Sequence, residues 1–322
     1  MNETLVSIIV PCSKVDRYAE ECVTKCLNEL EYKNFEILII PDKYFGELDH
    51  IKDPRLKIVE SGKVAPGKKR NIGMSLAKGE VFAFIDSDAY PKSNWLNEAL
   101  KVLQDADIVG GPAITPEEDS ERQKASGYVY SSIFMGGLSK RFAKKSSKIE
   151  EVDMIHSVNC IAKRGIIESV GGWDERYWPG EDTLLCGLLR KKGIKLYHDD
   201  ELIVYHHRRP LYIPHLKQVS RFGLYRGFLV KKYGKEFFRP IYFLPMIFVI
   251  YLIFGAISFT FSTILFKIFV ATLISYLIIL FFVTMKEVNE RNLILMVFSG
   301  ILLTHIVYGI QEIKGLIFGV EV

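Results

Sequence analysis

Asp86 and Asp88 stand one residue apart at the end of the apolar run Val81 to Ile85, in "GEVFAFIDSDAYP". Like charges this close repel, and neither carboxylate is comfortable unpaired beside a buried strand. A hard divalent cation removes both costs: Mn²⁺ or Mg²⁺ takes oxygen ligands and commonly bridges to a diphosphate. A calcium loop does not fit, because "DSDAYP" lacks the further oxygen ligands and the glycine it needs. Phosphatases of the haloacid-dehalogenase type put D-x-D after their first strand and follow it with Thr or Val, whereas Ala89 and Tyr90 follow here.

Such a pair needs a scaffold that delivers a strand end. The text before it alternates apolar runs with segments of helical spacing: "LVSIIVP", "AEECVTKCLNEL", "FEILIIP", "RLKIVE", "APGKKRNIGMSLAKG", "EVFAFI" and "NWLNEALKVL". Pro66 near the start and Gly79 just past the end frame the helix over "APGKKRNIGMSLAKG". Alternating strands and helices predict an α/β fold with a doubly wound, mostly parallel sheet covered on both faces. Ligands bind beyond the carboxyl ends of such strands, where Asp86 and Asp88 stand.

The 322 residues are 49% hydrophobic, and the apolar excess lies at the C-terminal end. From Pro240 onward, runs such as "IYFLPMIFVIYLIFGAISFTF" and "ILFKIFVATLISYLIILFFVTM" reach the 20 or so helical residues that cross a bilayer core. We expect a body over 1–230, a basic juxtamembrane segment over 231–240, and a transmembrane domain of about three helices over 241–261, 264–285 and 292–311. Charges in the tail cancel, so the formal +4 sits on the body. Lys231, Lys232, Lys235 and Arg239 precede the first span, which predicts a multi-pass protein of the inner membrane with its body in the cytoplasm. The loop "KEVNER" should share that side, and a third crossing would put the C-terminus outside unless His305 and two nearby glycines keep the segment interfacial. No apolar stretch with a basic flank follows Met1, so no secretory signal is expected. Five cysteines without a CxxC pair suit reduced cytosolic thiols, and no nucleic-acid partner is expected.

Five blocks in order resemble family-2 inverting glycosyltransferases of the GT-A fold, from "VSIIVPCSK" to about residue 230. The other four are "EILIIPDKY", "KRNIGMSLAKGE", "DSD" and "VGGWDERYWPGEDTLLCGLLRKKGIKL". The apolar tail is similar to that of membrane-attached members that build exopolysaccharide or lipid-linked glycans. The resemblance implies a nucleoside-diphosphate sugar donor, a Mn²⁺ or Mg²⁺ cofactor, and contact with membrane lipids. It sets Pro11, Cys12, Asp42 and Arg70 around the base and ribose, with Ser87 beside them. Asp86 would face the ribose and metal, and Asp88 would be the direct metal ligand. Asp182 would be the catalytic base, with Glu181 and Trp178 on the acceptor side. Two positions depart from the family pattern: Pro41 replaces the first of two acidic residues, and Cys12-Ser13 replaces Tyr-Asn.

Other residues have a physical reading of their own. Arg70, after a Gly-containing turn that opens a helix, is placed for phosphate. Asp182 before "TLLCGLLRKKG" also suits a helix cap, a role compatible with catalysis. In "IVYHHRR", His207 is assigned to the metal, although a histidine pair beside a strand also serves structural roles. Arg208 and Arg209 suit the diphosphate, since guanidinium offers two parallel donors. Gln218, Arg221 and Phe222 loosely echo the Q-x-x-R-W motif of processive synthases and are assigned to the acceptor. Phe in place of Trp, and few spans, argue against processive export. The segment "FMGGLSKRFAKKSSK" suits an anionic membrane surface or a lipid diphosphate, or simply a solvated loop.

Overall fold

The computed structural model describes residues 3–135, 142 and 149–320, and it divides the chain into two units. "FMGGLSKRFAKKSSK" lies almost wholly outside the described residues. The first unit holds residues up to 116 together with 143–207, and the second holds 117–142 with 208–321. The boundary expected at 230 falls inside a helix of the second unit.

In the first unit every residue of β1 (Val6–Pro11) and β2 (Phe35–Ile40) is buried, as unbroken apolar runs covered on both faces should be. Between them α1 (Arg17–Glu29) begins where Asp16 accepts hydrogen bonds from the amides of Tyr18 and Ala19 at 3.1 and 3.3 Å. After β3 (Leu56–Ile58), α2 (Pro66–Leu76) opens on a proline, whose fixed φ suits a first helical turn. The chain continues through β4 (Val81–Phe84), β5 (Ala89–Pro91), α3 (Trp95–Val102), β6 (Ile108–Gly110) and β7 (Ala113–Ile114). From 149 it adds β8 (Ile149–Val152), β9 (Cys160–Lys163), α5 (Arg164–Glu168), α6 (Glu181–Lys191), β10 (Leu196–Asp199) and β11 (Val204–His206).

The main sheet has eight strands in the order β3-β2-β1-β4-β9-β6-β10-β8. Strands β1 to β4 pair in parallel, whereas β9 runs antiparallel to both β4 and β6, and β8 antiparallel to β10. The expected parallel sheet therefore occupies the β3-β2-β1-β4 half, and the other half is mixed. Alternate residues of β1 feed two cores, Val6, Ile8 and Val10 on one face and Ile9 on the other. A second sheet of three short strands, β5-β11-β7, forms beyond the end of β4.

The second unit is helical: α4 (Glu121–Ser131), α7 (Ile213–Tyr233), α8 (Leu244–Ser258), α9 (Thr263–Glu287) and α10 (Ile294–Phe318). Among the described residues, three helical stretches are long and apolar enough to cross a membrane: Pro240–Ser258, Thr263–Glu287 and Arg291–Phe318.

Candidate active site

The D-x-D pair sits in the turn between the two sheets. Strand β4 ends at Phe84, the Ala89 amide donates to the Asp86 carbonyl at 3.1 Å, and β5 begins. Strand β5 then pairs antiparallel with β11, Ala89 opposite His206, and the His207 amide donates to the Asp88 carbonyl at 2.9 Å. That register brings the His206 ring to the D-x-D turn. His206 Nε2 lies 3.2 Å from Asp88 Oδ1.

His207, the histidine expected at the metal, stands just past the end of β11. His207 Nε2 instead meets Glu21 Oε2 at 3.0 Å, and its ring packs on Tyr18 with centroids 4.4 Å apart.

Arg70, expected around the nucleotide, is buried among protein partners. It is 2% exposed, and its guanidinium donates to Asp86 at 2.8 Å, Ser157 Oγ at 2.9 Å and Glu181 at 3.0 Å. The same group lies over the Trp173 ring at 4.8 Å. Arg70 is a buried bridge joining the end of β4 to the start of α6. Asn71 makes a second joint: its side chain donates to the Trp173 carbonyl at 2.8 Å and accepts from the Trp173 amide at 2.9 Å. Gly67 makes a third, since a Cβ there would stand 2.3 Å from the Asp174 carbonyl oxygen. The "KRN" and "GGWD" blocks are therefore two sides of one contact.

Helix α6 starts after Gly180, whose φ of 119° is a conformation open to glycine. Its first turn carries Glu181 and Asp182, acidic groups favoured by the positive end of the helix dipole. Asp182 is half-buried and accepts from the Thr183 amide at 2.6 Å. Glu181 is buried, and burial lifts its carboxyl to about 7; Arg70 opposes that rise and Asp182 adds to it. Trp178, just before the helix, is 47% exposed.

At the other end of the parallel half, Pro11 closes β1 opposite Ile40, with Cys12 next. Lys69, 3% exposed and absent from the sequence reading, donates to both the Cys12 carbonyl and the Asp42 carboxylate. Burial pushes the Cys12 thiol up to about 12. Asp42 keeps part of its carboxylate exposed while Lys69 balances its charge.

Arg208, Arg209, Gln218, Arg221 and Phe222 all belong to the second unit. Arg208 is buried there over the rings of Tyr130 and Phe142 at 5.6 and 4.8 Å, and Tyr130 donates to Gln218 at 3.2 Å. Arg221 and Phe222 are exposed.

Among the described residues no three His, Cys, Asp or Glu side chains converge as a closed metal centre. A carboxylate oxygen and an imidazole nitrogen, Asp88 and His206, still fit a hard divalent ion that takes its other ligands from phosphate and water. Lys69, Asn71 and Ser157 were the residues hardest to find in sequence. For the first two the signal was "KKRN", a polar run inside a helix that buries Lys69 and Arg70, and for His206 it was the histidine pair in "IVYHHRR".

Fold and site define a sugar-transferring enzyme of the GT-A type. The chain belongs to glycosyl transferase family 2, whose model matches residues 7–171, more than half of its length. That match stops short of α6. One relative, the dolichyl N-acetyl-alpha-D-glucosaminyl phosphate 3-beta-D-2,3-diacetamido-2,3-dideoxy-beta-D-glucuronosyltransferase of Methanococcus voltae, is 25% identical over 244 residues, covering 70% of this chain and 74% of that protein. A glycosyltransferase of Streptococcus pneumoniae is 31% identical over 119 residues, 33% of this chain and 38% of that one. Among solved structures, a mannosyltransferase of Pyrobaculum calidifontis in complex with GDP-Man and Mn²⁺ shares the fold, with a TM-score of 0.67, 15% identity, and coverage of 98% of this chain and 88% of that one.

Proposed function

We propose that this enzyme is a metal-dependent, inverting glycosyltransferase attached to the cytoplasmic face of the inner membrane. It moves a sugar from a nucleoside-diphosphate sugar, a UDP-sugar first among candidates, to a hydroxyl of a lipid-linked glycan. One observation carries the reading: the single guanidinium of Arg70 bonds both Asp86 and Glu181, so D-x-D and the acidic helix start form one site. The Methanococcus relative, named for a dolichyl-phosphate-linked sugar acceptor, supports the acceptor class. The mannosyltransferase solved with Mn²⁺ supports the metal.

In this reading Asp42, held by Lys69, and the backbone around Pro11 and Cys12 receive the base and ribose. Asp88 and His206 hold the cation, which when bound offsets charge on the nucleoside-diphosphate leaving group. Asp182 takes the proton of the acceptor hydroxyl as that oxygen attacks the anomeric carbon from the face opposite the leaving group. One displacement inverts the centre. Arg70 anchors Glu181, the residue before Asp182 at the start of α6.

A polyprenyl-phosphate acceptor is the second reading. An ionised phosphate has no proton to lose, so an acidic helix start at Glu181 and Asp182 favours the hydroxyl.

Thermal shifts of detergent-solubilised protein with UDP-, GDP- and dTDP-sugars, with and without Mn²⁺, test the donor and the metal together. A ligand at about 100 times its Kd stabilises by roughly 2.7 kcal/mol. No shift with any of them would overturn the reading.

A further inference from the structure

Length and composition admit α10 as a third crossing, but its packing against α7 does not. The two helices run side by side in the same direction and keep step. Tyr212 Oη meets Ser299 Oγ at 3.0 Å, and His215 Nε2 meets Thr304 Oγ1 at 2.9 Å. Further along, a Cβ at Gly223 would lie 2.4 Å from the Tyr308 carbonyl oxygen, and one at Gly227 2.2 Å from that of Glu312. Near the end, Lys231 Nζ donates to the Ile317 carbonyl at 2.5 Å. Contacts run over some twenty residues, about 30 Å of helix, and the backbones approach most closely at Gly223, Gly227 and Gly315. Whatever path α10 takes, α7 takes with it.

Helix α7 carries Lys217, Arg221, Arg226, Lys231 and Lys232 and no acidic residue. Lys217 and Arg221 are exposed. A crossing would carry Arg221 and Arg226 to the middle of the bilayer, with the buried Glu312 of α10 close by. Charged side chains there are among the costliest placements a helix can make. The start of α10 is also tied to the polar helix α4: Lys124 pairs with Glu290 at 2.6 Å, and Asn292 donates to Glu121 at 2.7 Å. By contrast, from Leu244 to Met285 the only charged residue is Lys267. The apolar windows of α8 and α9 are 28% and 11% buried within the protein, against 44% for that of α10.

We propose that only α8 and α9 cross the bilayer, and that α7 and α10 lie together in the membrane–water interface, with the C-terminus on the same side as the α9–α10 loop. Leu295, Leu303, Ile310 and Ile317 of α10 remain exposed at intervals of seven or eight residues, one apolar stripe along the helix. That stripe meets the acyl boundary, and the basic residues of α7 meet anionic headgroups. The proposal rests on the membrane attachment given under Proposed function.

Impermeant maleimide labelling of the full chain in intact spheroplasts tests it with three exposed or half-exposed positions: Thr260→Cys in the α8–α9 turn, Asn289→Cys in the α9–α10 loop and Val320→Cys at the end. All five native cysteines are buried, so the wild type gives the background. Position 260 should label in intact spheroplasts, and positions 289 and 320 should stay protected there and label together only after lysis. Labelling of 320 from the same side as 260, with 289 protected, would overturn the proposal. Alkaline carbonate treatment of the same membranes separates the two readings, because release of the wild-type chain would instead sink membrane attachment itself.

Discussion

Arg70 and Glu181, 111 positions apart in the chain, meet at 3.0 Å as an ion pair whose side chains are 2% and 6% exposed. Removing one partner of such a pair leaves a buried charge uncompensated, which costs about 3–5 kcal/mol. Arg70→Met should lower the denaturation midpoint accordingly and abolish transfer. Arg70→Lys should rescue little, because an ammonium lacks the planar fork that reaches Asp86, Ser157 and Glu181 together. A midpoint for Arg70→Met equal to wild type would contradict the bridge.

The same pair makes stability depend on pH. Burial raises the Glu181 carboxyl from its ordinary 4.5 to about 7 in the folded protein. A carboxyl raised by folding favours the folded state fully below its ordinary value, and that contribution fades as pH rises through about 7. Melting temperature of the wild type should therefore carry a downward component between these limits that Glu181→Gln lacks. Parallel melting profiles for the two proteins would count against the raised carboxyl.

Asp182→Asn keeps size and hydrogen-bonding shape but cannot accept a proton. Transfer to a hydroxyl should fall by about 10²–10⁴ while donor affinity is retained, since Asp42, Asp86 and Asp88 are untouched. Turnover near wild type, with donor affinity measured in parallel, would move the reading to the phosphate acceptor.

The two adjacent histidines should separate cleanly. His206→Ala removes the ring at Asp88 and should raise the Mn²⁺ concentration needed for half-maximal activity by about 10- to 100-fold, the scale seen when a group supporting a metal site is lost. His207→Ala breaks the contact with Glu21 and should lower stability with little change in metal requirement. Equal metal titrations for both variants would refute the assignment to His206.

Much of this enzyme was legible in order along the chain. Unbroken apolar runs marked β1, β2 and β4, because a strand buried on both faces admits few polar residues. The carboxylates Asp86 and Asp88 declared themselves by standing where such a run stops, and the long apolar stretches of α8 and α9 by length alone.

Tertiary structure decided which neighbours meet. His206 and His207 are equivalent as text; the β5–β11 register brings one to Asp88, while the other, just past the strand, meets Glu21. Arg70 reads as a phosphate ligand at a helix start until β4, α6 and Ser157 close around it. Lys69 draws no notice in the sequence, and in the structure it is buried with its ammonium on Asp42 and the Cys12 carbonyl. Periodicity along a chain reports which face of an element is covered. A buried ionic side chain is settled by partners far away in sequence, because only their convergence can offset the cost of taking its charge out of water.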